Sequence, residues 1–148
     1  MAREPRFHPP LFDRLAADAP HTLDARGLRE SVRRELELLF NTRSASPAHR
    51  LPGAPLTVLD YGIPALSDFS VRNPADHRAL EAALLAAIRA FEPRLDAVHV
   101  RVVLPENDGM TLTVAIDADL AVNALREPVS FNVAIDPRQG GVMVHAQP

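Results

Sequence analysis

The histidines are the side chains in this sequence whose type best suits metal binding or acid–base catalysis, and they are scattered along the chain. No two of them are four residues apart on a predicted helix, which is the spacing of a helical metal pair. Two of them could be neighbours on the polar face of a predicted sheet, but solvated histidines explain these two, His99 and His145, better. The chain also has no cysteine, which excludes disulfides, thiolate zinc sites and thiol catalysis. We therefore expect no metal site and no cofactor at His8, His21, His49, His77, His99 or His145.

Catalytic motifs of other kinds are missing from the sequence. There is no Gly-x-Ser-x-Gly and no Gly-x-Gly, and all sixteen basic residues are arginine, so lysine chemistry is absent. A glycosidase needs only a pair of carboxylates, and the candidates are Glu30, Glu35, Glu37 and Glu92. Nothing in the sequence places two of them across a cleft or gives one the apolar setting that raises the pKa of a general acid. We therefore predict no catalytic residue.

The clearest candidate for a binding site is the run Glu92, Pro93, Arg94 at the end of a predicted helix. Because proline cannot continue the helix, the chain is fixed there, and the two charged side chains are expected to project from a rigid corner. An arginine fork pairs well with carboxylates and backbone carbonyls, which favours contact with a protein partner. The simpler interpretation is a helix stop with two solvated charges.

Two long amphipathic helices are predicted to position this corner. The first begins near Thr22 or Asp24 and ends at residues 41–43, and the second begins at Asn73 with Pro74 in its first turn. Apolar residues recur along each at steps of three and four, which is typical of one buried helix face. They are Leu28, Val32, Leu36, Leu39 and Phe40 in the first helix, and Leu80, Leu84, Ile88 and Phe91 in the second.

Beyond residue 97 the apolar period changes from 3.6 to 2, which indicates strands with one apolar face. Helices first and strands later predict an α+β fold, with two main amphipathic helices packed on one face of a mostly antiparallel sheet of about four strands. Residues 118–128 are predicted to form a longer connection that could contain a helical turn. The predicted strands cover residues 98–104, 110–116, 129–135 and 142–146, with hairpin loops over residues 105–109 and 136–141.

Composition predicts one domain without a membrane span. The 148 residues fit one core, and a net charge of −3 argues against a nucleic-acid binder. No apolar run approaches the roughly 18 residues of a membrane helix, and the beginning lacks a signal-peptide pattern. The proline-rich residues 1–10 predict a flexible N-terminal arm, before a single domain over residues 11–148. Within that domain we predict a short helix over residues 11–15, an extended segment over residues 56–59 and a turn over residues 60–64.

Four short segments resemble the TssE family of type VI secretion systems. That family is similar in turn to the baseplate wedge protein of contractile phage tails, which is often labelled lysozyme-like. The order and spacing of the segments match the family over roughly residues 10–146. They are Leu11–Leu15, Leu38–Arg43, Val58–Pro64 and Phe91–Leu95, the last followed by Val98 and Val100.

The resemblance implies a structural role and no catalysis, in the cytoplasm at a baseplate docked on the inner membrane. The implied partners are wedge subunits of the TssF, TssG and TssK type and sheath subunits of the TssB and TssC type, with no nucleic acid and no insertion into the membrane. The family's Glu-Pro-Arg motif contacts the helical core of the wedge subunits. The partner-binding residues expected from the resemblance are Glu92, Pro93, Arg94, Asn41, Arg43 and Tyr61.

The resemblance also implies that the sheet accepts strands from the first ring of sheath subunits. An exposed sheet edge supplies unpaired N–H and C=O groups for such strand addition. The last strand, Gly141–Ala146, is the candidate edge, and an edge protected by the chain end is the other interpretation. Two further alternatives stay open for the whole chain. One is a peptidoglycan hydrolase that acts through Glu92, and the other is an unrelated α+β adaptor.

Overall fold

The elements follow the predicted order of helices first and strands later. A computed structural model describes residues 6–15, 18, 21–45, 55–70, 72–103, 111–136 and 140–147. Helices α1, α2 and α3 cover Leu11–Leu15, Ala25–Asn41 and Pro74–Phe91, and two short 3-10 helices cover Val58–Asp60 and Leu66–Asp68. Strands β1 to β4 cover Leu95–Val103, Leu112–Val122, Leu125–Asp136 and Gly141–Ala146. The predicted α+β fold is confirmed.

Both long helices begin at the caps that the sequence predicts. The Asp24 carboxylate accepts a hydrogen bond from the N–H of Gly27 at 2.6 Å, so Asp24 and not Thr22 caps α2. The Asn73 side chain accepts from the N–H of Ala75 at 3.0 Å, and Pro74 occupies the first helical position of α3. These side chains satisfy N–H groups that have no partner inside the helix, which fixes where each helix starts.

The sheet is antiparallel throughout, with the strands in the order β1-β2-β3-β4. Alternate side chains of β2 and β3 are buried, because α2 and α3 cover one face of the sheet. Helix α2 packs along β4 and helix α3 packs along β1, so each margin of the sheet has a helix beside it. The largest buried side chains of this single core include Leu36 and Leu84 from the helices and Ile116 and Phe131 from the central strands.

Two predicted segments have a different structure. The connection predicted over residues 118–128 is mostly strand, because the burial alternation of β2 continues through Leu120. Only two residues separate β2 from β3, and Asn123 takes a left-handed conformation with φ of 56°. The predicted extended segment over residues 56–59 is also wrong. A capping box between Thr57 and Asp60 folds it into a short 3-10 helix instead.

The described part of the predicted N-terminal arm lies against the domain at Phe7. The N–H of Phe7 donates to the carbonyl of Leu23 at 2.8 Å, and the carbonyl of Phe7 accepts from the N–H of Leu23 at 2.7 Å. Phe7 is buried, with 3% of the residue exposed. The boundary of the arm at residue 10 stays a prediction. The predicted loop over residues 105–109 and residues 137–139 of the second loop lie outside the described residues. Among the helices that are described, none is both long and apolar enough to cross a bilayer.

Candidate partner-binding surfaces

The Glu-Pro-Arg corner joins the end of α3 to the beginning of β1. The guanidinium of Arg94 donates to both carboxylate oxygens of Glu92, from Nε at 2.7 Å and from Nη2 at 2.6 Å. The backbone N–H of Arg94 donates to the same carboxylate at 3.2 Å, and the carbonyl of Arg94 accepts from the N–H of Ala121 in β2 at 2.8 Å. Pro93 holds the turn between the two charged residues. The corner is therefore a closed, rigid unit that also ties α3 to the sheet.

The expectation that Glu92 projects from this corner is wrong. Its side chain is only 4% exposed, whereas that of Arg94 is 19% exposed. Burial of a carboxylate is costly unless it is paired and hydrogen-bonded, and Arg94 supplies both compensations. Pro93 is the exposed residue of the three. A role for the corner in partner binding stays a prediction, and the part that a partner could reach is Pro93 with the outer side of the guanidinium.

Ser31 is a member of the corner that sequence reasoning missed. Its Oγ accepts a hydrogen bond from Nη1 of Arg94 at 3.0 Å, and the residue is buried at 1% exposure. The sequence contains a sign of this role, because Ser31 is a polar residue inside the apolar stripe of α2, between Leu28 and Val32. Such a residue normally needs a hydrogen-bond partner from another element. Through Ser31, the corner fastens α2 to α3 and β1.

Tyr61 lies on the same side of the domain as the corner. Its ring packs edge-to-face on Phe91, the last residue of α3, with 5.2 Å between ring centroids and an interplanar angle of 67°. Burial, followed by the negative charges of Glu35 and Glu92, raises the pKa of the Tyr61 phenol. Tyr61 is therefore half-buried against the residue that precedes Glu92, so the structure places it beside the corner.

Asn41 lies at the other margin of the sheet, where it binds the backbone of β4. Its side-chain Nδ2 donates to the carbonyl of Val142 at 2.8 Å, and its Oδ1 accepts from the N–H of Val142 at 3.0 Å. About ten residues of helix, or roughly 15 Å, separate Asn41 from Ser31 along α2. The predicted site residues therefore form two groups on the molecule, and Asn41 is not part of the corner.

Two further side chains of α2 extend the contact that Asn41 makes with β4. Nη1 of Arg33 donates to the carbonyl of Val144 at 3.0 Å, and Glu37 accepts from the N–H of Val144 at 3.1 Å. Arg33 and Glu37 also pair with each other at 2.8 Å. Burial lowers the pKa of Arg33, but hydrogen bonds and charge from Glu30 and Glu37 outweigh that effect and raise it. We call Arg33, Glu37 and Asn41 the α2 clamp.

The α2 clamp fits its strand because the two repeats nearly coincide. Four residues of α-helix rise about 6 Å, and two residues of strand rise about 6.6–6.8 Å. Side chains at steps of four on one helix face can thus reach every second residue of an adjacent edge strand. The expectation that β4 is an open edge is therefore wrong at Val142 and Val144, whose outward backbone groups are all bonded to the clamp.

Arg43 lies just beyond the end of α2, beside the segment that carries Tyr61. Its backbone forms an isolated parallel bridge with Ile63, and its side chain is exposed. The N–H of Ile63 donates to the carbonyl of Thr42 at 2.9 Å. Gly62 has a φ of 114°, and a Cβ on it would collide with the Thr42 carbonyl, so only glycine permits this contact.

The described residues give no arrangement for catalysis or for metal binding. The two oxygens of Glu92 are held by Arg94 and face the interior, so this carboxylate is not placed as a general acid over a cleft. His99 and His145 lie on β1 and β4, the two outermost strands, so the expectation that they could be neighbours is wrong. Within the described ranges, no three His, Asp or Glu side chains are grouped to hold an ion.

Comparison with known proteins identifies the family of the chain. Residues 26–124, about two thirds of the chain, match the family described as baseplate wedge protein gp25. The chain belongs to the baseplate wedge protein gp25 family. The matched region contains α2, α3, the Glu-Pro-Arg corner and the first two strands. The family resemblance read from the sequence is therefore confirmed.

A solved structure has the same fold as this baseplate wedge family member. It belongs to "The baseplate complex from the type VI secretion system" and superposes with a TM-score of 0.52 at 18% sequence identity. The match covers 74% of this chain and 94% of the other, so nearly all of that protein has a counterpart here. At the level of sequence, none of the curated proteins matches the chain.

Proposed function

We propose that the chain is a non-enzymatic structural subunit of a type VI secretion baseplate, of the TssE kind. In this role it docks on wedge subunits and starts polymerisation of the sheath, at a baseplate on the cytoplasmic side of the inner membrane. The observation that carries the proposal is the baseplate wedge family match over residues 26–124. The fold shared with a chain of a type VI secretion baseplate complex agrees with it. The proposed partners are wedge subunits of the TssF, TssG and TssK type and sheath subunits of the TssB and TssC type.

The proposed wedge contact centres on the Glu-Pro-Arg corner. The buried Glu92–Arg94 pair stiffens the corner, so the exposed Pro93 is presented without a large loss of conformational entropy on binding. Part of the Arg94 guanidinium is exposed beside it, and half-buried Tyr61 lies close by. A helical partner would contact the rigid apolar ring of Pro93 and, beside it, the exposed part of the Arg94 guanidinium. Arg43 and Asn41 add a second, more distant contact if the partner extends along α2.

Charge reversal at Arg94 is a poor test of this contact, because Arg94 also neutralises buried Glu92. A variant at Pro93 is cleaner, since that side chain is exposed and makes no ion pair. We expect Pro93→Glu to weaken binding to purified wedge subunits by at least about ten-fold, because the new charge would be desolvated in the contact and placed beside the Glu92–Arg94 pair. Pull-down titration or calorimetry measures the change.

The matched control is Pro74→Glu, the same chemical change on an exposed proline at the other end of α3. Glutamate in a first helical turn is favourable, so this variant should fold and bind wedge subunits normally. Thermal unfolding of both variants must match the native chain. Equal wedge binding by Pro93→Glu and the native chain would contradict docking through the corner.

A further inference from the structure

We propose that β1, and not β4, is the edge of the sheet that accepts a strand from a partner. This inference rests on the proposed function, which supplies the sheath subunit as the source of that strand. The family match says nothing about which edge is used, so the choice depends on the backbone groups that each outer strand presents. An antiparallel edge strand directs the N–H and C=O of every second residue away from its neighbour.

The β4 edge is closed at two of its outward residues, Val142 and Val144. Both the N–H and the C=O of Val142 are bonded to Asn41, and those of Val144 are bonded to Glu37 and Arg33. A strand that paired with β4 would have to replace four hydrogen bonds at 2.8 to 3.1 Å, two of which involve charged side chains. Hydrogen bonds to charged groups are stronger than neutral ones, so this replacement is unfavourable.

In the described part of the chain, a side chain bonds one outward backbone group of the β1 edge, the N–H of Val102. The N–H of Val102 donates to the carboxylate of Glu81 in α3 at 2.7 Å, which shows that Val102 is an outward-facing residue. Val100, two residues earlier, has the same direction in the register with β2. No side chain or loop in the described ranges bonds the outward groups of Val100 or the carbonyl of Val102. These groups form an open template for pairing.

The side chains beside this edge define the strand that fits it. Val100 and Val102 are partly buried on the helix-covered face, whereas His99 and Arg101 are exposed on the other face. A complementary strand therefore alternates apolar residues, which would extend the core beyond Val100, with acidic residues, which would lie next to Arg101. Arg101 already pairs with Asp117 of β2 at 3.2 Å, and its side chain is 71% exposed, so it can reach a second carboxylate.

Hydrogen exchange on the full chain tests the edge assignment without any mutation. In the free protein we expect the N–H of Val100 to exchange at least about ten-fold faster than those of Val142 and Val144, because exposed groups open at little cost. On addition of purified sheath subunits, the N–H of Val100 should become protected while those of Val142 and Val144 stay unchanged. Protection of Val100 equal to that of Val144 in the free chain would overturn the assignment.

Proline substitutions provide a matched pair for the functional test. Val100→Pro removes the outward N–H of β1 and leaves the ladder with β2 intact, which an edge strand tolerates. We expect it to abolish sheath binding. Val144→Pro removes the corresponding N–H of β4 and should leave sheath binding unchanged. The reverse pattern would overturn the β1 assignment while the proposed function stands.

The result that would refute the proposed function differs from the result that would refute the edge assignment. If sheath subunits neither bind the unaltered chain nor change its hydrogen exchange, the proposed role in starting the sheath is refuted, together with this partner. If they bind and the new protection appears in β4, only the edge assignment is refuted. Should either proline variant lose the thermal unfolding transition of the native chain, the exchange measurement with sheath subunits decides between the edges.

Discussion

The two margins of the sheet are each fastened to a helix, but by different means. At the β1 margin the fastening is concentrated in the corner, where Glu92 and Arg94 form a buried pair just before the strand starts. At the β4 margin it is spread along the strand, where the α2 clamp bonds the backbone at two successive outward residues. A corner holds a strand in place and leaves its outer backbone groups available, whereas a clamp consumes those groups.

This difference leaves the two edges of the sheet unequally open. Exposed edges of a sheet are hazardous because they pair with any extended chain. Here side chains of α2 close the β4 edge at Val142 and Val144. The β1 edge is held mainly by the corner, and α3 bonds one of its outward groups, the N–H of Val102. The following variants test whether the corner and the clamp act in these separate ways.

The largest effect is expected at the corner. Arg94→Ala leaves the Glu92 carboxylate buried without its cation, so we expect the free energy of unfolding to fall by about 3–5 kcal/mol. Denaturant unfolding measures it. The control is Arg126→Ala, which removes an ion pair with Asp96 whose side chains are 71% and 54% exposed and should cost less than about 1 kcal/mol. A similar small cost for both variants would mean that the corner does not fasten β1 to α3.

A smaller effect on stability is expected at the clamp, together with a change in association. Asn41→Ala removes both hydrogen bonds to Val142, and at about 0.5–1.5 kcal/mol for each bond it should cost about 1–3 kcal/mol. It also frees a stretch of β4, so concentration-dependent self-association should appear in analytical ultracentrifugation. Glu81→Ala, which removes the bond between α3 and the N–H of Val102 at the β1 edge, is the comparison and should cost less. A strictly monomeric Asn41→Ala variant would show that the clamp is not what closes β4.

The smallest effect is expected from the phenol beside the corner. Burial, with the charges of Glu35 and Glu92, raises the pKa of Tyr61 in the folded state. The unfolded chain therefore loses the phenol proton at a lower pH than the folded chain. Stability contributed by Tyr61 is complete below about pH 10 and is lost as the pH rises through the folded pKa.

The composition makes this alkaline titration simple to assign. The chain has one tyrosine, no cysteine and no lysine, so the Tyr61 phenol is the side chain that titrates between about pH 9 and pH 12. Unfolding free energies measured across that range should fall for the native chain and stay nearly level for Tyr61→Phe. A parallel fall in both proteins would show that folding does not raise the pKa of the Tyr61 phenol.

Local sequence signals were sufficient for most of the fold. The caps at Asp24 and Asn73, the stop at Pro93 and the change of apolar period after residue 97 all act within a few residues, so they can be read without tertiary structure. In the two segments predicted wrongly, a local signal competes with a general propensity or pattern. The β2–β3 turn needs a left-handed Asn123, and the helical turn after Thr57 depends on a capping box that outweighs the β-propensity of Val58.

By itself the sequence determined the order of elements, the face of each that is buried, the family and the existence of a rigid corner at Pro93. Only the tertiary structure decided where the charges of that corner point and which edge of the sheet is closed. Glu92 turns inward because it pairs with Arg94, which Ser31 also holds, and the β4 edge is closed at Val142 and Val144 because α2 runs beside it. The bond of Ser31 to Arg94 and the bonds of α2 to β4 join residues far apart in the chain, and no local pattern specifies such partners.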